Sequence, residues 1–135
     1  MSHFIKIRTQ IREESILVEC LGKMGFAHVE RHEEAQHLFG YQGDRRPETA
    51  EVIVRRKDIG AASNDIGFKR QSSGEYEAII SEFDRRRFSE TWLQELNRNY
   101  AYSVIQEQVR EQHLIVEEER TLENGDLVIV LSERG

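Results

Sequence analysis

The longest unbroken pattern of apolar and polar positions runs from Phe88 to Gln112. Trp92, Leu93, Leu96, Tyr100 and Val104 recur with a 3.6-residue period, which predicts an amphipathic helix. Ser89 suits the N-cap, and Phe88 before it can pack on Leu93 as a hydrophobic staple. At about 1.5 Å per residue this helix would be roughly 35 Å long. Two strands follow it, Leu114–Thr121 and Leu127–Leu131, joined by a turn at Asn124-Gly125. Every position of Leu127–Leu131 is apolar. That predicts a central strand beneath the long helix, where Ile129→Ala would cost about 2–4 kcal/mol.

The rest of the pattern is shorter-ranged. Phe4–Arg8 alternates, which predicts a strand near Ser2–Thr9 whose facing is ambiguous between Phe4 and the Ile5/Ile7 pair. Glu13–Met24 predicts a short helix, with Cys20, Leu21 and Met24 on its apolar stripe and Gly25 as terminator. Short strands are predicted at Phe26–Glu30 and His37–Tyr41, separated by the polar stretch Arg31–Gln36. Gly40, Gly43 and the sole proline, Pro47, predict an exposed loop between the second of these and the next strand. Ala50–Arg56, Asp65–Arg70 and Tyr76–Phe83 are the remaining strands. The fold class that results is α+β: an antiparallel-rich sheet of about five to seven strands, with one short and one long helix. A ferredoxin-like or related sandwich is the first layout, and an open curved sheet around the long helix the second. With no repeat and no long linker, residues 1–135 are expected to form a single domain.

Composition narrows the function classes. The net charge of −6 excludes a generally basic nucleic-acid binder. The charge is uneven. Residues 88–135 hold four Arg against ten Asp or Glu, and residues 45–87 hold ten Lys or Arg against eight acids. An anionic partner would therefore meet the middle of the chain. The single cysteine, Cys20, cannot close an internal disulfide and sits among apolar residues, so it is expected to be buried and inert. No run reaches the ~18 apolar residues of a membrane span, and no signal-peptide core opens the chain. These features predict a cytoplasmic protein.

The candidate chemistry is thin. His28, His32 and His37 lie near Glu30, Glu33 and Glu34, but without a His-Glu-x-x-His motif they read as solvated side chains, and no metal or cofactor is expected. Asp58, Asp65, Glu75, Glu77 and Asp84 offer acid–base partners without a spacing that assigns any pair. A discontinuous basic set comprises Arg45, Arg46, Arg55, Arg56, Lys69, Arg70, Arg85, Arg86 and Arg87. Gathered on one sheet face it would bind phosphates, with Tyr41, Phe68 and Tyr76 as stacking platforms. On the long helix, Ala101, Ile105 and Val109 form a second apolar stripe beside Tyr102, with Arg98 at its rim. Such a surface suits a protein partner or self-association.

Certain segments carry a resemblance. They are the opening Met1–Ile11, Asp65-Ile66-Gly67-Phe68, Tyr76–Ser81, the helix core Leu96-Asn97-Arg98-Asn99-Tyr100-Ala101-Tyr102, and Val116-Glu117-Glu118-Glu119. Together they resemble a family of small conserved hypothetical proteins of cyanobacteria and some algal plastids, domain of unknown function 1257. The likeness spans nearly the whole chain; the stretch Glu34–Arg46 matches weakly and nothing is carried over to it. The resemblance implies no reaction, substrate or cofactor. It implies residence in the plastid stroma for plastid-encoded members, and by family analogy alone a partner such as an AAA-type ATPase or a ferredoxin-like protein. The function expected is that of a small non-enzymatic interaction or adaptor protein. The alternatives are an RNA- or single-stranded nucleic-acid-binding domain using residues 45–87, and an enzyme with scattered carboxylates and arginines.

Overall fold

The computed structural model describes residues 3–133, so Ser2 of the first predicted strand lies outside the described residues. In chain order the elements are β1 (Phe4–Arg8), α1 (Glu14–Lys23), β2 (Val29–Phe39), β3 (Arg45–Val54), β4 (Ile66–Arg70), β5 (Tyr76–Ser81), α2 (Glu90–Gln112), β6 (Leu114–Thr121) and β7 (Leu127–Glu133). Short 3-10 turns at Arg56–Asp58 and Glu82–Arg86 lead out of β3 and β5. The first five strands form an antiparallel sheet in the order β1-β5-β4-β3-β2, and β6 and β7 form a separate two-stranded sheet. The chain is thus α+β, with one short and one long helix.

Both helices cover one face of the five-stranded sheet. Leu17, Cys20 and Leu21 of α1 and Leu93, Leu96 and Tyr100 of α2 pack with Val52, Val54, Ile66, Phe68, Ala78 and Ile80. The facing of β1 follows from its partner: Ile5 and Ile7 lie opposite Ile80 and Ala78, on the helix side. Ser89 caps α2, its hydroxyl accepting from Trp92 N at 3.4 Å, and Phe88 meets the Trp92 ring edge-on at 5.0 Å. The Tyr100 hydroxyl accepts from the backbone N–H groups of Arg12 and Glu13 at 3.0 and 2.8 Å. Both N–H groups lie just ahead of the first turn of α1, where no carbonyl of the helix can accept from them. Cys20 is fully buried, and burial pushes its thiol pKa up.

The other face of the sheet is covered by the sheet's own longest hairpin. Sequence pattern divides β2 at Arg31–Gln36 and places a loop at Gly40–Pro47; instead β2 is continuous, the turn is confined to Gly40–Asp44, and Pro47 lies within β3. Five steps along β2, from Arg31 to Gln36, oppose only two along β3, from Val52 to Ala50. An irregularity of this kind bends the hairpin. It also turns Ala50 away from Val52: Val52 joins the helix-side core, whereas Ala50 joins Leu38, Ile53 and Ile79 on the opposite side. The distal half of the hairpin thereby folds across the sheet, and Arg46 reaches over the Phe4 ring of β1 at 5.7 Å. Gly67 is the floor of this second layer. A Cβ there would stand 2.8 Å from Ala50 Cβ and 3.0 Å from Leu38 Cδ2. Pro47 is tolerated because it falls where the β2–β3 ladder is irregular.

A buried polar cluster holds the folded-over hairpin. Asp65, with no exposed surface, accepts from Phe39 N and Arg56 N at 2.7 Å each and from Arg55 Nη1 at 2.9 Å. Arg55 also donates to His37 O at 3.0 Å and pairs through Nη2 with Glu30 at 2.9 Å. Next to it, Asn64 donates through its backbone and side-chain nitrogens to Asp84 Oδ2, while its own Oδ1 accepts from Tyr41 N at 2.9 Å.

The last two strands depart from expectation. Leu127–Leu131 is not a central strand beneath α2, because β7 pairs only with β6 and none of its residues is fully buried. The full cost expected of Ile129→Ala therefore does not apply. A β-α-β return by α2 would require β6 to enter the main sheet. Instead β6 pairs locally with β7 across the four-residue turn Leu122–Gly125.

Two outcomes test this packing. Gly67→Ala should destabilise the chain by about 1–3 kcal/mol through overpacking against Ala50 and Leu38, measured by denaturant unfolding. The second concerns pH. The hydrogen bond from Arg55, aided by His32 at 2.8 Å and opposed by partial burial, holds the Glu30 carboxyl below its usual value of 4.5. The stabilisation this gives is fully present above that usual value and is lost as the pH falls through the lower folded-state value. Glu30→Gln, which cannot ionise, should show a flatter loss of stability on acidification, followed by thermal unfolding from about pH 6 to about pH 3.

Candidate functional site

Beyond Val104, α2 leaves the main core. Its second half and the β6–β7 hairpin form a C-terminal arm that contributes no residue to either buried apolar cluster. The helix ends at His113 in a left-handed conformation, φ 54°, which turns the chain straight into β6. Ile105 and Val109 are half-buried and Arg98 is exposed. Tyr102, Ile115, Leu122 and Val130 expose 37, 40, 40 and 40% of their surfaces; outside the arm, Tyr41 and Phe83 are the exposed large apolar side chains among the described residues. Glu117, Glu118, Glu119, Glu123 and Asp126 border them, all exposed. Between α2, the end of β1 and the hairpin turn lies an open groove of about 890 Å³, with Asn97, Arg98, Ala101, Leu127 and Val128 among its walls.

Of the helix-face candidates, then, Arg98 and Tyr102 stand on the surface and Ile105 and Val109 are partly covered. Sequence reasoning passed over Ile115, Leu122 and Val130. The available signal was a strand apolar on both faces with only one neighbour in sequence to pair with.

The basic set is dispersed and largely engaged within the fold. Arg56 donates to the carbonyls of Tyr41, Ala61 and Ser63. Arg55 is held by Asp65 and Glu30. Burial disfavours its charge, but the hydrogen bonds to those two carboxylates outweigh it and raise its pKa. Lys69 donates to Thr49 Oγ1 at 2.6 Å on the hairpin-covered face, and Arg70 to the Tyr76 hydroxyl at 2.6 Å on the helix side. Arg85 donates to Phe88 O, and Arg87 donates to Ile59 O while lying over the Phe26 and Phe88 rings. Arg46 pairs with Asp44 at 3.5 Å. Arg45 and Arg86 are exposed, one at the hairpin end and the other leading into α2. Of the proposed stacking aromatics, Phe68 and Tyr76 are buried in the core, and Tyr41 is exposed.

The acid–base candidates do not converge. Asp65 and Asp84 are consumed by backbone and side-chain donors, and Glu77 lies between Arg8 and Lys69 in the strand register. Among the histidines, His32 bonds Glu30 and His37 Nδ1 lies 2.8 Å from Arg46 O. Among the described residues no three His, Cys, Asp or Glu side chains are grouped to hold a metal ion. No helix among them is long and apolar enough to cross a membrane.

Comparison with known proteins adds family membership. No solved structure matches the chain. Over 107 residues the chain is 26% identical to the uncharacterized protein ycf35 of Cyanophora paradoxa, a match covering 78% of this chain and 76% of that relative. A family model spans residues 20–130, from α1 through most of β7, and so takes in both the main sheet and the C-terminal arm. On that match the chain belongs to the DUF1257 family, described as proteins of unknown function.

Proposed function

We propose that this protein is a small non-enzymatic interaction or adaptor protein that docks another protein through its C-terminal arm, in the cytoplasm or in the stroma for plastid-encoded members. The observation that carries the reading is the contrast in burial along one helix. The first half of α2 is sealed in the core, while its second half and the attached hairpin leave Tyr102, Ile115, Leu122 and Val130 in water. Exposed apolar side chains ringed by polar ones mark interaction surfaces, and aromatic centres with charged rims are typical of them. The acidic border of Glu117, Glu118, Glu119 and Glu123 suits a partner whose own rim is basic. Nucleic-acid binding through residues 45–87 has less support, since most of those cations already bond groups of the fold.

Ile105→Asp places a charge within this surface, away from the main core. The expected outcome is a chain with an unchanged main unfolding transition that no longer retains the protein partner captured by the unmodified chain. Arg85→Ala with Arg86→Ala should leave that capture intact. Unfolding of the Ile105 variant would show the stripe to be core, and salt-sensitive retention of single-stranded RNA, weakened by the double arginine variant, would favour the nucleic-acid reading.

A further inference from the structure

Among the described residues, the outer edge of β7 is the strand edge with the fewest charges and irregularities to block pairing. In the main sheet, the β2 edge carries charged residues and a bulge, and the β1 edge carries Lys6 and Arg8. In the hairpin, the β6 edge presents Glu117, Glu118, Glu119 and Arg120 with an irregularity between Val116 and Glu118. By contrast, β7 has a regular register from Leu127 to Val130 and no charge, proline or glycine between Leu127 and Ser132. A two-stranded sheet is marginal alone and gains independent stability with added strands.

Two observations indicate what would add to it. The segment Leu127-Val128-Ile129-Val130-Leu131 reads the same in both directions. Paired antiparallel with a second copy of itself about Ile129, it sets Leu against Leu, Val against Val and Ile129 against Ile129. The flanking charges do not collide in that register, because Asp126 meets Ser132 and Glu133 meets Gly125. The acidic triplet of β6 stays on the outer strands, away from the two-fold axis. The backbone agrees. Leu122 N donates to Asp126 O at 2.8 Å, so this pair is hydrogen-bonded and the pairs beyond it alternate. Leu127 and Ile129 therefore turn their N–H and C=O groups away from β6, and so does Leu131, because the extra residue of the bulge, Glu117, lies on β6. In the register centred on Ile129, these three residues meet one another.

We propose that two copies of this chain pair through β7 to form a continuous four-stranded antiparallel sheet, β6-β7-β7-β6, about a two-fold axis at Ile129. Closed two-fold dimers are the commonest homo-oligomers, and the same edge serves both partners. The proposal rests on the arm assigned above to docking, but uses the backbone edge of β7 rather than the exposed side chains of the arm.

Sedimentation of the full chain should give twice the 15.9 kDa chain mass. Ile129→Pro removes an outward N–H that β6 does not use. It should return the chain to its single mass with an unchanged far-UV spectrum, since proline is tolerated where an edge N–H faces out. Ile105→Asp should stay dimeric, which separates failure of this proposal from failure of the docking face. Register is read by cross-linking. Residues facing each other in a hydrogen-bonded pair stand about 5.5 Å apart at Cα, within disulfide reach. Ile129→Cys should therefore give an oxidised dimer on a non-reducing gel, and Val130→Cys should not. A monomeric unmodified chain, a dimer that survives Ile129→Pro, or equal cross-linking at both positions would overturn the proposal; a monomer would leave the edge to a strand from another protein.

Discussion

A carboxylate with no exposed surface has to be surrounded by donors, and Asp65 is surrounded by three from two other segments of the chain. Phe39 N belongs to the end of β2, Arg56 N and Arg55 Nη1 to the exit of β3, and Asp65 itself precedes β4. Removing any one donor would leave part of a buried charge uncompensated. The carboxylate therefore fixes where the β2–β3 hairpin ends relative to the sheet it folds over. Leu38, Ala50 and Gly67 can then meet on the face that the helices do not reach. Asn64 and Asp84 extend the same fixation to the 3-10 turn that delivers α2.

This arrangement engages most of the basic side chains in the middle of the chain within the fold. The cations there serve the hairpin and its neighbours: Arg55 and Arg56 hold its ends, Lys69 bonds Thr49 on the folded-over strand, and Arg46 stacks on Phe4. Charge count alone made residues 45–87 look available to an anion. In the fold, carbonyls, a buried carboxylate and aromatic faces engage most of those cations.

The C-terminal arm is organised differently. The main sheet has helices on one face and a hairpin on the other, so most of its apolar residues are covered. The arm has one helix half and one hairpin, and its apolar residues are closed off incompletely. A strand apolar on both faces makes physical sense inside a sheet; at the margin of a two-stranded ribbon it makes sense when something else completes the sheet. The docking surface and the strand pairing proposed above are two consequences of that one deficit.

Local pattern determined a good deal. The 3.6-residue stripe and the Ser89 cap set α2 to within two residues, and Gly25 with the Ile16–Leu21 stripe set α1, because helices are specified by contacts within a few residues. The strand positions of β4 and β5 and the turn before β7 were legible for the same reason. The continuous β2–β3 hairpin was not, since its polar stretch Arg31–Gln36 and Pro47 argue locally for loops. Only pairing between positions far apart, with Asp65 anchoring the fold-over, overrides that preference. The placement of β7 was likewise undecidable from its own residues: five apolar positions state that a strand wants burial on both sides, and not which neighbours supply it. Sequence by itself thus determined which segments become helices and most of the strands. Tertiary structure alone decided which apolar faces find cover, because cover depends on the competition among distant edges and faces for one another.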